Sequence, residues 1–396
     1  MRPSTPPWVF LLLAMPFGAQ GGFLTVTLAF GLEKAGVAAD AIATLIALSY
    51  LPHTWKFAWA PLVDLTWTRR RWYAAATALS AAGVAAMAGW GTDAGHWALL
   101  TAAVLVANVA ATISGMAAES MMAHGTAEEA KGRAGGWFQA GNLGGQGLGG
   151  GLALWLVQGA GLTVPASGAV LGLLCAACMA GLALVADPGQ RADVGDLPAA
   201  LRALWTDLRA VALSRTGALA MAICFLPIGT GAASNLWATI AGDWQAGAGT
   251  VALVNGALTG LASAFGCLVG GQLCDRMDRK QAYCLFGAAL AALAVAMALW
   301  PRTEAAFVGF ALVYAVVVGM SYAAFSAVVL EAIGRGAAAT KYSLLASLSN
   351  VPIAWVTWVD GQVYARAGPA AMLHTEAALG LVGLVLFVAA ARWRRR

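Results

Sequence analysis

Three side chains that can carry a charge or a proton interrupt an apolar stretch near the N-terminus. The segment LPHTWKFAWAPLVD, residues 51–64, contains His53, Lys56 and Asp64. An ionised side chain in hydrocarbon costs several kcal/mol, so such residues in a membrane segment are candidates for function. Lys56 has two interpretations: it serves a cavity or a gate, or it snorkels towards Asp64, about 12 Å of helix rise away. His53 lies one turn before Lys56 and is either a hydrogen-bonded packing residue or a proton carrier.

The elements around these residues are predicted to be membrane helices. Of the 396 residues, 60% are apolar and 10% are charged, whereas soluble domains carry about 25% charged residues. Apolar stretches of about 20 residues, each long enough to cross a bilayer, recur along the chain. Breaks at Gly, Pro and charge clusters predict twelve spans, numbered 1 to 12, near residues 8–31, 39–60, 72–91, 97–119, 134–158, 163–186, 216–241, 249–274, 281–300, 304–333, 341–366 and 370–391. The first apolar run continues beyond the length of a secretory signal, so span 1 is expected to stay in the mature protein.

Lysine and arginine predict the orientation of the chain in the bilayer. With the N-terminus inside, nineteen of the 23 fall on cytoplasmic segments, and three, Lys34, Arg302 and Arg366, fall on outer loops. Cytoplasmic loops of membrane proteins carry this excess of positive residues, so both termini are predicted to be cytoplasmic. The inner residues are Arg2, Arg69, Arg70, Arg71, Lys131, Arg133, Arg191, Arg202, Arg209, Arg215, Arg276, Arg279, Lys280, Arg335, Lys341, Arg392, Arg394, Arg395 and Arg396.

The sequence carries no motif of catalysis or of a resident metal. It lacks H-E-x-x-H, the P-loop and G-x-S-x-G, and its six cysteines lie in or beside apolar segments, where packing is the expected role. Residues 145–150 fit G-x-G-x-x-G, but in a membrane helix this spacing predicts close packing through Gly141, Gly145 and Gly149. We expect no catalytic residue, no metal ligand and no cofactor, and the positive net charge requires no nucleic acid partner.

A repeat of about 210 residues relates the two halves of the chain. Charged residues recur at spacings of 211, 212 and 208 positions: Asp64 and Asp275, Glu119 and Glu331, and Arg133 and Lys341. We predict an N-terminal six-helix bundle at residues 1–186, a cytoplasmic linker at 187–215 and a C-terminal six-helix bundle at 216–396. One face of the linker carries Leu197, Leu201, Leu204, Leu208 and Val211, which predicts an amphipathic helix on the inner membrane surface or against cytoplasmic loops.

Two parallel six-helix repeats, with an aspartate and a basic cluster after spans 2 and 8, resemble the major facilitator superfamily. The segment at 51–64 with the following RRRW is similar to the muropeptide permease (AmpG-like) and acetyl-CoA transporter branch, matching it at Leu51, Pro52, Lys56, Phe57, Trp59, Pro61, Leu62 and Asp64. GGLALWL in span 5 and KYSLLASLSNV in span 11 resemble the same branch, which also includes siderophore importers. Span 4 departs from the branch because Glu119 is its single acidic residue.

The resemblance implies an all-α fold in which span 2 lies beside span 11 and span 8 beside span 5. Asp64 is then expected to accept hydrogen bonds at the start of span 11, near Lys341 and Ser343, and Asp275 at the start of span 5, near Arg133. We predict that these two contacts act as cytoplasmic latches of about 0.3–2 kcal/mol each.

Secondary gate contacts are expected for Glu119 and Glu331 with Arg133 and Lys341. Arg69 to Arg71 are either gate residues or topology determinants. The full gating set is Asp64, Arg69, Arg70, Glu119, Arg133, Asp275, Arg279, Lys280, Glu331 and Lys341.

Polar stripes on repeat-equivalent helices predict a substrate surface. Gln139, Asn142 and Gln146 follow one face of span 5, and Ser343, Ser347 and Asn350 repeat the pattern on span 11. Such stripes either bind neighbouring helices or line a wet cavity. The candidate substrate-binding residues are Gln20, His53, Lys56, Asn108, Gln139, Asn142, Gln146, Asn235, Asn255, Tyr314, Tyr322, Ser347, Asn350 and Trp355, and the candidate proton-coupling residues are Glu119 and Asp360.

These features predict a secondary transporter of the bacterial inner membrane that works by alternating access. The resemblance implies proton-coupled uptake of a polar organic solute such as an anhydromuropeptide. The alternatives are a siderophore importer of the same branch and a transporter-like sensor or assembly partner without flux. The expected partners are a small solute, protons and the lipid bilayer, and the chain is expected to be a monomer.

Overall fold

The computed structural model describes residues 4–90, 94–186, 197–334 and 337–393. Residues 187–196 of the predicted linker and six arginines predicted to be cytoplasmic lie outside the described residues: Arg2, Arg191, Arg335, Arg394, Arg395 and Arg396. Helix makes up 89% of the structure, and the described ranges contain no strand. The prediction of an all-α fold is confirmed.

Helices occupy all the positions predicted for spans 1 to 6. Span 1 is Val9–Gly22, a π-helical stretch at Phe23–Leu28, and Ala29–Lys34. Span 2 is Ala39–Trp55, a 3₁₀ turn at Lys56–Ala58, and Ala60–Leu65. Spans 3, 4 and 5 are Arg69–Trp90, Trp97–Gly125 and Lys131–Gln158, and span 6 is Val164–Ala177 continued by Cys178–Leu184.

The second half follows after a linker helix at Leu197–Leu213. Span 7 is broken into Arg215–Phe225, Ala232–Leu236, Trp237–Ile240 and Ala241–Trp244, and span 8 is Ala248–Leu253, a π-helical stretch at Val254–Leu258, and Thr259–Arg276. Spans 9 and 10 are Arg279–Leu299 and Glu304–Ile333. The helical segment Ala338–Trp393 contains spans 11 and 12, which are separated by the non-helical Gly368 with φ 80°.

Eight helices in the described part of the chain are long and apolar enough to cross a membrane, or nine if a bent pair counts as one span. One of the eight, Ala338–Arg392, holds both spans 11 and 12. Three predicted spans, 2, 5 and 7, are not among the eight helices. Spans 2 and 7 are interrupted helices, and span 5 is rich in glycine and polar residues. Length and hydropathy alone therefore miss the spans that carry breaks or polar stripes.

Prolines explain the interruption of span 2. Pro61 lacks the amide that an unbroken helix would use to bond to the carbonyl of Phe57. The 3₁₀ turn at Lys56–Ala58 lies between Pro52 and Pro61. A 3₁₀ stretch within a helix often marks a functional hinge, and here it holds Lys56.

The described chain divides into two compact units. The first comprises residues 1–127, 141–204 and 335–344, and the second comprises 128–140, 205–334 and 345–396. The first unit thus contains the start of span 11, and the second contains the start of span 5. The two predicted six-helix bundles remain a prediction, and each compact unit is described here by its own contacts.

In the first unit, span 3 packs against spans 4 and 6, and span 4 also packs against spans 1 and 2. A core that includes Phe23, Leu28, Val84 and Leu100 fills the space among these helices. Glycines bring span 5 to span 1: an added Cβ at Gly149 would lie 1.9 Å from the carbonyl oxygen of Ala19. An added Cβ at Gly141 or Gly145 would lie 2.2 or 2.6 Å from a carbonyl oxygen of span 1, so the packing role predicted for these glycines is confirmed.

In the second unit, span 10 packs against spans 8 and 9 in the same pairing that span 4 makes with spans 2 and 3. An added Cβ at Gly319 would lie 2.0 Å from the carbonyl oxygen of Ser263, so span 10 touches span 8 at backbone distance. Two buried clusters pack the unit, one around Trp237, Trp244 and Tyr314, the other around Tyr283 and Phe286.

Candidate functional site

Asp64 binds the first turn of span 11 within the first unit. Its carboxylate accepts hydrogen bonds from the amides of Ala339 and Thr340 at 3.1 and 2.8 Å and from the Thr340 hydroxyl at 2.7 Å. The side chain is buried, 8% exposed. Amides of a first helical turn lack partners within their own helix and carry partial positive charge, so the carboxylate satisfies both needs.

Asp275 makes the same arrangement with the first turn of span 5 in the second unit. It accepts hydrogen bonds from the amides of Gly132 and Arg133 at 2.7 and 3.1 Å, and from the Arg133 Nε at 2.8 Å. A Cβ added at Gly132 would lie 2.5 Å from the Asp275 carboxylate. Glycine at this position therefore allows the Asp275 carboxylate to approach the backbone of span 5. One turn further along span 5, Gly136 packs on Gly271 of span 8 and keeps the two helices close.

We name these two arrangements the Asp64 clamp and the Asp275 clamp. Each joins chain segments that are far apart in sequence, 276 residues between Asp64 and Thr340 and 143 between Asp275 and Gly132. The amides that bind Asp64 belong to Ala339 and Thr340, which directly precede the expected Lys341. The role of the two clamps as latches of the cytoplasmic side stays a prediction.

An ion-pair network surrounds the Asp275 clamp. Arg279 donates to the Glu128 carboxylate at 2.9 Å and lies 3.5 Å from Glu331, while Lys280 pairs with Glu331. The Lys131 ammonium contacts Glu128 at 2.7 Å and the Leu330 carbonyl at 2.9 Å. Glu331 thus pairs with Arg279 and Lys280 at the start of span 9, and its expected contact with Arg133 or Lys341 stays a prediction.

The network favours the ionised form of Glu128. Desolvation by itself would raise the pKa of this carboxyl, but hydrogen bonds from Lys131 and Arg279 outweigh it and hold the pKa below its ordinary value. Glu128 was not among the sequence-based candidates, since nothing in a short loop between two spans distinguishes a bridging glutamate from a solvated one. It links the start of span 5 to the start of span 9.

Arg69 and Arg70 are anchored at the start of span 3. Arg69 is buried and donates from its Nε to Ser120 at 2.9 Å, and a second nitrogen lies 3.0 Å from His124. Arg70 donates to the carbonyl of Val185 at the end of span 6. Both arginines therefore connect helix ends of the first unit. A residue that only determines topology needs no such contacts.

Lys56 and Glu119 form a buried ion pair in the first unit. The Lys56 ammonium lies 3.5 Å from the Glu119 carboxylate, with the two side chains 9% and 6% exposed. The helix of span 4 continues past Glu119 to Gly125, and the expected pairing of Glu119 with Arg133 or Lys341 stays a prediction. A carboxylate can lie within a span here because Lys56 supplies the opposite charge. Snorkelling does not describe Lys56, whose charge is enclosed by protein.

Further polar groups of the first unit lie along spans 1, 2 and 4. His53 hydrogen-bonds the Asn108 side chain at 3.1 Å, and Trp59 donates to Thr112 at 3.1 Å. Gln20 is buried and accepts a hydrogen bond from Ser80. Asn142 is half-buried and Gln146 is exposed on span 5.

The second unit holds a second buried acidic cluster. Asp360 on span 11 is 0% exposed, and its carboxyl lies beside that of Glu376 on span 12, which is 7% exposed. Tyr314 and Thr230 donate to Glu376 at 3.0 and 3.3 Å. Apart from the Glu376 carboxyl, no described residue donates a hydrogen bond to either Asp360 oxygen. Glu376 was missed at the sequence level, although an ionisable residue inside predicted span 12 is itself a signal of function.

The other candidates of the second unit are dispersed. Gln139 donates to Ser326 at 2.8 Å, which ties span 5 to span 10, and Asn235 donates to Thr357 at 2.9 Å. Asn255 lies in the π-helical stretch of span 8, a feature common at functional sites. The remaining candidates are half-buried or partly exposed: Tyr322, Ser347, Asn350 and Trp355.

Comparison with known families decides the classification of the chain. A family model for the Major Facilitator Superfamily matches residues 8–357. The chain belongs to the Major Facilitator Superfamily. No curated protein matches it. Clamps at the starts of spans 5 and 11, paired by an internal repeat, are thus features of a major facilitator protein.

Solved structures share the fold over almost the full length of this major facilitator protein. The human organic anion transporter MFSD10 is 18% identical, with a TM-score of 0.69 over 96% of this chain and 98% of that one. The E. coli fucose:proton symporter FucP is 17% identical, with a TM-score of 0.66 over 98% of each chain. A bacterial homologue of the iron transporter ferroportin is 14% identical, with a TM-score of 0.67 over 99% and 100%.

At these identities the comparison shows the fold alone. The predicted twelve-helix major facilitator fold is confirmed, and the chain is a multi-pass membrane protein of a transporter superfamily. The family and its structural neighbours are transporters rather than enzymes. Two pairs of buried ionisable residues, Lys56 with Glu119 and Asp360 with Glu376, are candidates for binding the substrate and the coupling ion.

Proposed function

We propose that this major facilitator protein takes up a polar organic solute, such as an anhydromuropeptide, by proton-coupled alternating access across a bacterial inner membrane. The observation that carries the proposal is the buried Lys56–Glu119 ion pair. Lys56 belongs to the motif that resembles the muropeptide permease branch, and anhydromuropeptides carry carboxylates. The substrate and the membrane follow from that resemblance.

The ion pair supplies a coupling mechanism. Removing the charge of one member of a buried pair leaves the other uncompensated, which is strongly unfavourable. A proton bound to Glu119 therefore leaves the Lys56 ammonium in need of a new counter-charge, which a substrate carboxylate provides. Proton and anionic substrate then bind together, whereas either alone is disfavoured. His53, which lies close to Lys56, and its partner Asn108 border this pair.

Asp360 is the second proposed proton-binding residue. It lies beside Glu376 inside the protein, where two adjacent ionised carboxylates repel each other. One proton shared by the pair removes that repulsion, and the Tyr314 hydroxyl then holds Glu376 in place. The titratable groups facing Asp360 are Glu376 and Tyr314.

The test is uptake of a radiolabelled anhydromuropeptide into proteoliposomes with and without an inward proton gradient. One proton per substrate allows about tenfold accumulation for a gradient of one pH unit. Glu119→Gln is expected to keep exchange of substrate across the membrane but to lose accumulation driven by the gradient. Lys56→Ala is expected to lose substrate binding, and Glu129→Gln, which changes an exposed glutamate in the segment between spans 4 and 5, is expected to behave as the wild type.

Three results contradict the proposal. Gradient-driven accumulation by Glu119→Gln excludes this residue as the coupling site. Transport of a ferric siderophore, with no uptake of the anhydromuropeptide, moves the protein to the siderophore importers of the same branch. Absence of flux for both classes favours a sensor or assembly partner.

A further inference from the structure

A cavity of about 420 Å³ opens in the second unit, and none of the residues that line it belongs to the charged pairs of the proposed mechanism. Its wall is formed by the start of span 7, the start of span 9 and the end of span 12. All three helix ends are predicted to lie at the cytoplasmic side, because their basic residues belong to the inner set. The cavity is therefore expected at the depth of the lipid headgroups.

Two arginines give this cavity a positive rim. Arg215 from span 7 and Arg392 from span 12 line it, and within the described part of the chain neither has an ion-pair partner. Lys280 also lines it but is paired with Glu331. Asp278 contributes one carboxylate, which accepts hydrogen bonds from the amides of Lys280 and Gln281. The charge left for a ligand is positive.

Part of the lining of the cavity is apolar. Leu219 and Phe387 are buried, 8% and 5% exposed, and Val388 is 38% exposed beside them. A small soluble anion gains nothing from contact with these apolar side chains. An anionic phospholipid has both parts: guanidinium groups bind phosphate through paired hydrogen bonds, and hydrocarbon packs on the apolar side chains.

The linker helix supports this location independently. It ends at Leu213, and the chain bends by 80° at Ser214 before Arg215 begins span 7. On its predicted apolar face Leu204 is buried, 8% exposed, but Leu201 is 46% exposed, and the apolar Trp205 and Leu213 are 68% and 72% exposed. An amphipathic helix that leaves large apolar side chains uncovered lies in the membrane interface, which brings Arg215 to the headgroups.

We propose that the cavity bounded by Arg215, Arg392 and Phe387 binds the phosphate of an anionic phospholipid of the inner leaflet. The phosphate bridges the two arginines, and part of an acyl chain lies along Val388 and Leu219. Because Arg215 and Arg392 lie at the ends of spans 7 and 12, a bound lipid stabilises the ends of both helices.

The test measures lipid binding by native mass spectrometry and thermal unfolding of the full chain in detergent, titrated with phosphatidylglycerol or phosphatidylcholine. We expect selective binding of phosphatidylglycerol and a higher melting temperature in its presence. Each of Arg215→Gln and Arg392→Gln is expected to weaken this binding about fivefold. Arg209→Gln, an exposed arginine of the linker helix outside the cavity, is the matched control.

Three outcomes overturn the proposal. The first is unchanged phosphatidylglycerol binding in the Arg215→Gln/Arg392→Gln variant, and the second is an equal loss in Arg209→Gln. The third is binding of soluble glycerol phosphate as tight as that of phosphatidylglycerol, which identifies a small-anion site instead. None of these readouts uses transport, so failure of the lipid site is distinguishable from failure of the proposed transport function.

Discussion

At the scale of single residues, a carboxylate that caps a distant helix differs from one that caps its own. Asp275 binds the start of span 5, whereas Asp278 is the N-cap of span 9 and binds its own Lys280 and Gln281 amides. The two residues are three positions apart and use the same chemistry. Substitutions of the two residues therefore distinguish the effect of joining two helices from the effect of capping one helix.

Asp275→Asn and Asp278→Asn are each expected to lower the free energy of unfolding by about 0.5–2 kcal/mol, the cost of a weakened helix cap. Flux is expected to fall only in Asp275→Asn, because only that contact joins segments that must separate during transport. Denaturation in detergent and initial uptake rates in proteoliposomes measure the two effects. An equal loss of flux in Asp278→Asn would reduce the Asp275 clamp to ordinary helix capping.

The contribution of the Asp64 clamp to flux is tested in the same way. Thr340→Val removes the hydroxyl that donates to Asp64 but keeps both amides of the clamp. We expect a loss of flux smaller than that of Asp64→Asn, because one of three hydrogen bonds is removed. Uptake rates of the two variants and of the double variant test this, and independent, additive effects would contradict a shared clamp.

At the scale of helices, backbone contact through glycine determines which spans pack. Gly319 on span 10 faces the carbonyl of Ser263 on span 8, while Gly309 on the same helix has open space around an added Cβ. Alanine at Gly319 must push the two helices apart. Alanine at Gly309 removes the conformational freedom of glycine without a clash.

Gly319→Ala is expected to destabilise the protein by about 1–3 kcal/mol, the usual cost of overpacking. Gly309→Ala is expected to leave stability unchanged or raise it by up to about 1 kcal/mol. Melting temperatures in detergent provide the comparison within one helix. Equal effects of the two substitutions would show that spans 8 and 10 are not held at backbone distance.

At the scale of the whole molecule, the distribution of basic residues predicts that both termini face the cytoplasm. A fluorescent protein fused to the C-terminus is therefore expected to fluoresce, and alkaline phosphatase fused there is expected to be inactive. Fusions at Gly161, in the predicted outer loop after span 5, provide the control with the opposite result. An active phosphatase at the C-terminus would invert the orientation and move the lipid cavity to the outer face.

The sequence by itself determined the all-α membrane class, the approximate position of each span and the two clamp aspartates. These follow from local composition and from an internal repeat, since hydrocarbon selects apolar residues along any helix that crosses it. It could not provide the partner of Glu119, the pairing of Glu331 or the neighbourhood of Asp360. Charge pairing depends on which helices lie side by side, and hydropathy is the same for every arrangement of neighbours.

The tertiary structure alone decided that Lys56 is enclosed and paired with Glu119, because the 3₁₀ turn of span 2 and the extension of span 4 to Gly125 bring them together. It likewise brought Glu376 to Asp360 by folding span 12 back after Gly368. Such pairs exist because buried charge is tolerated only beside a compensating group. The helix that supplies this group is fixed by packing, and packing is a property of the folded chain.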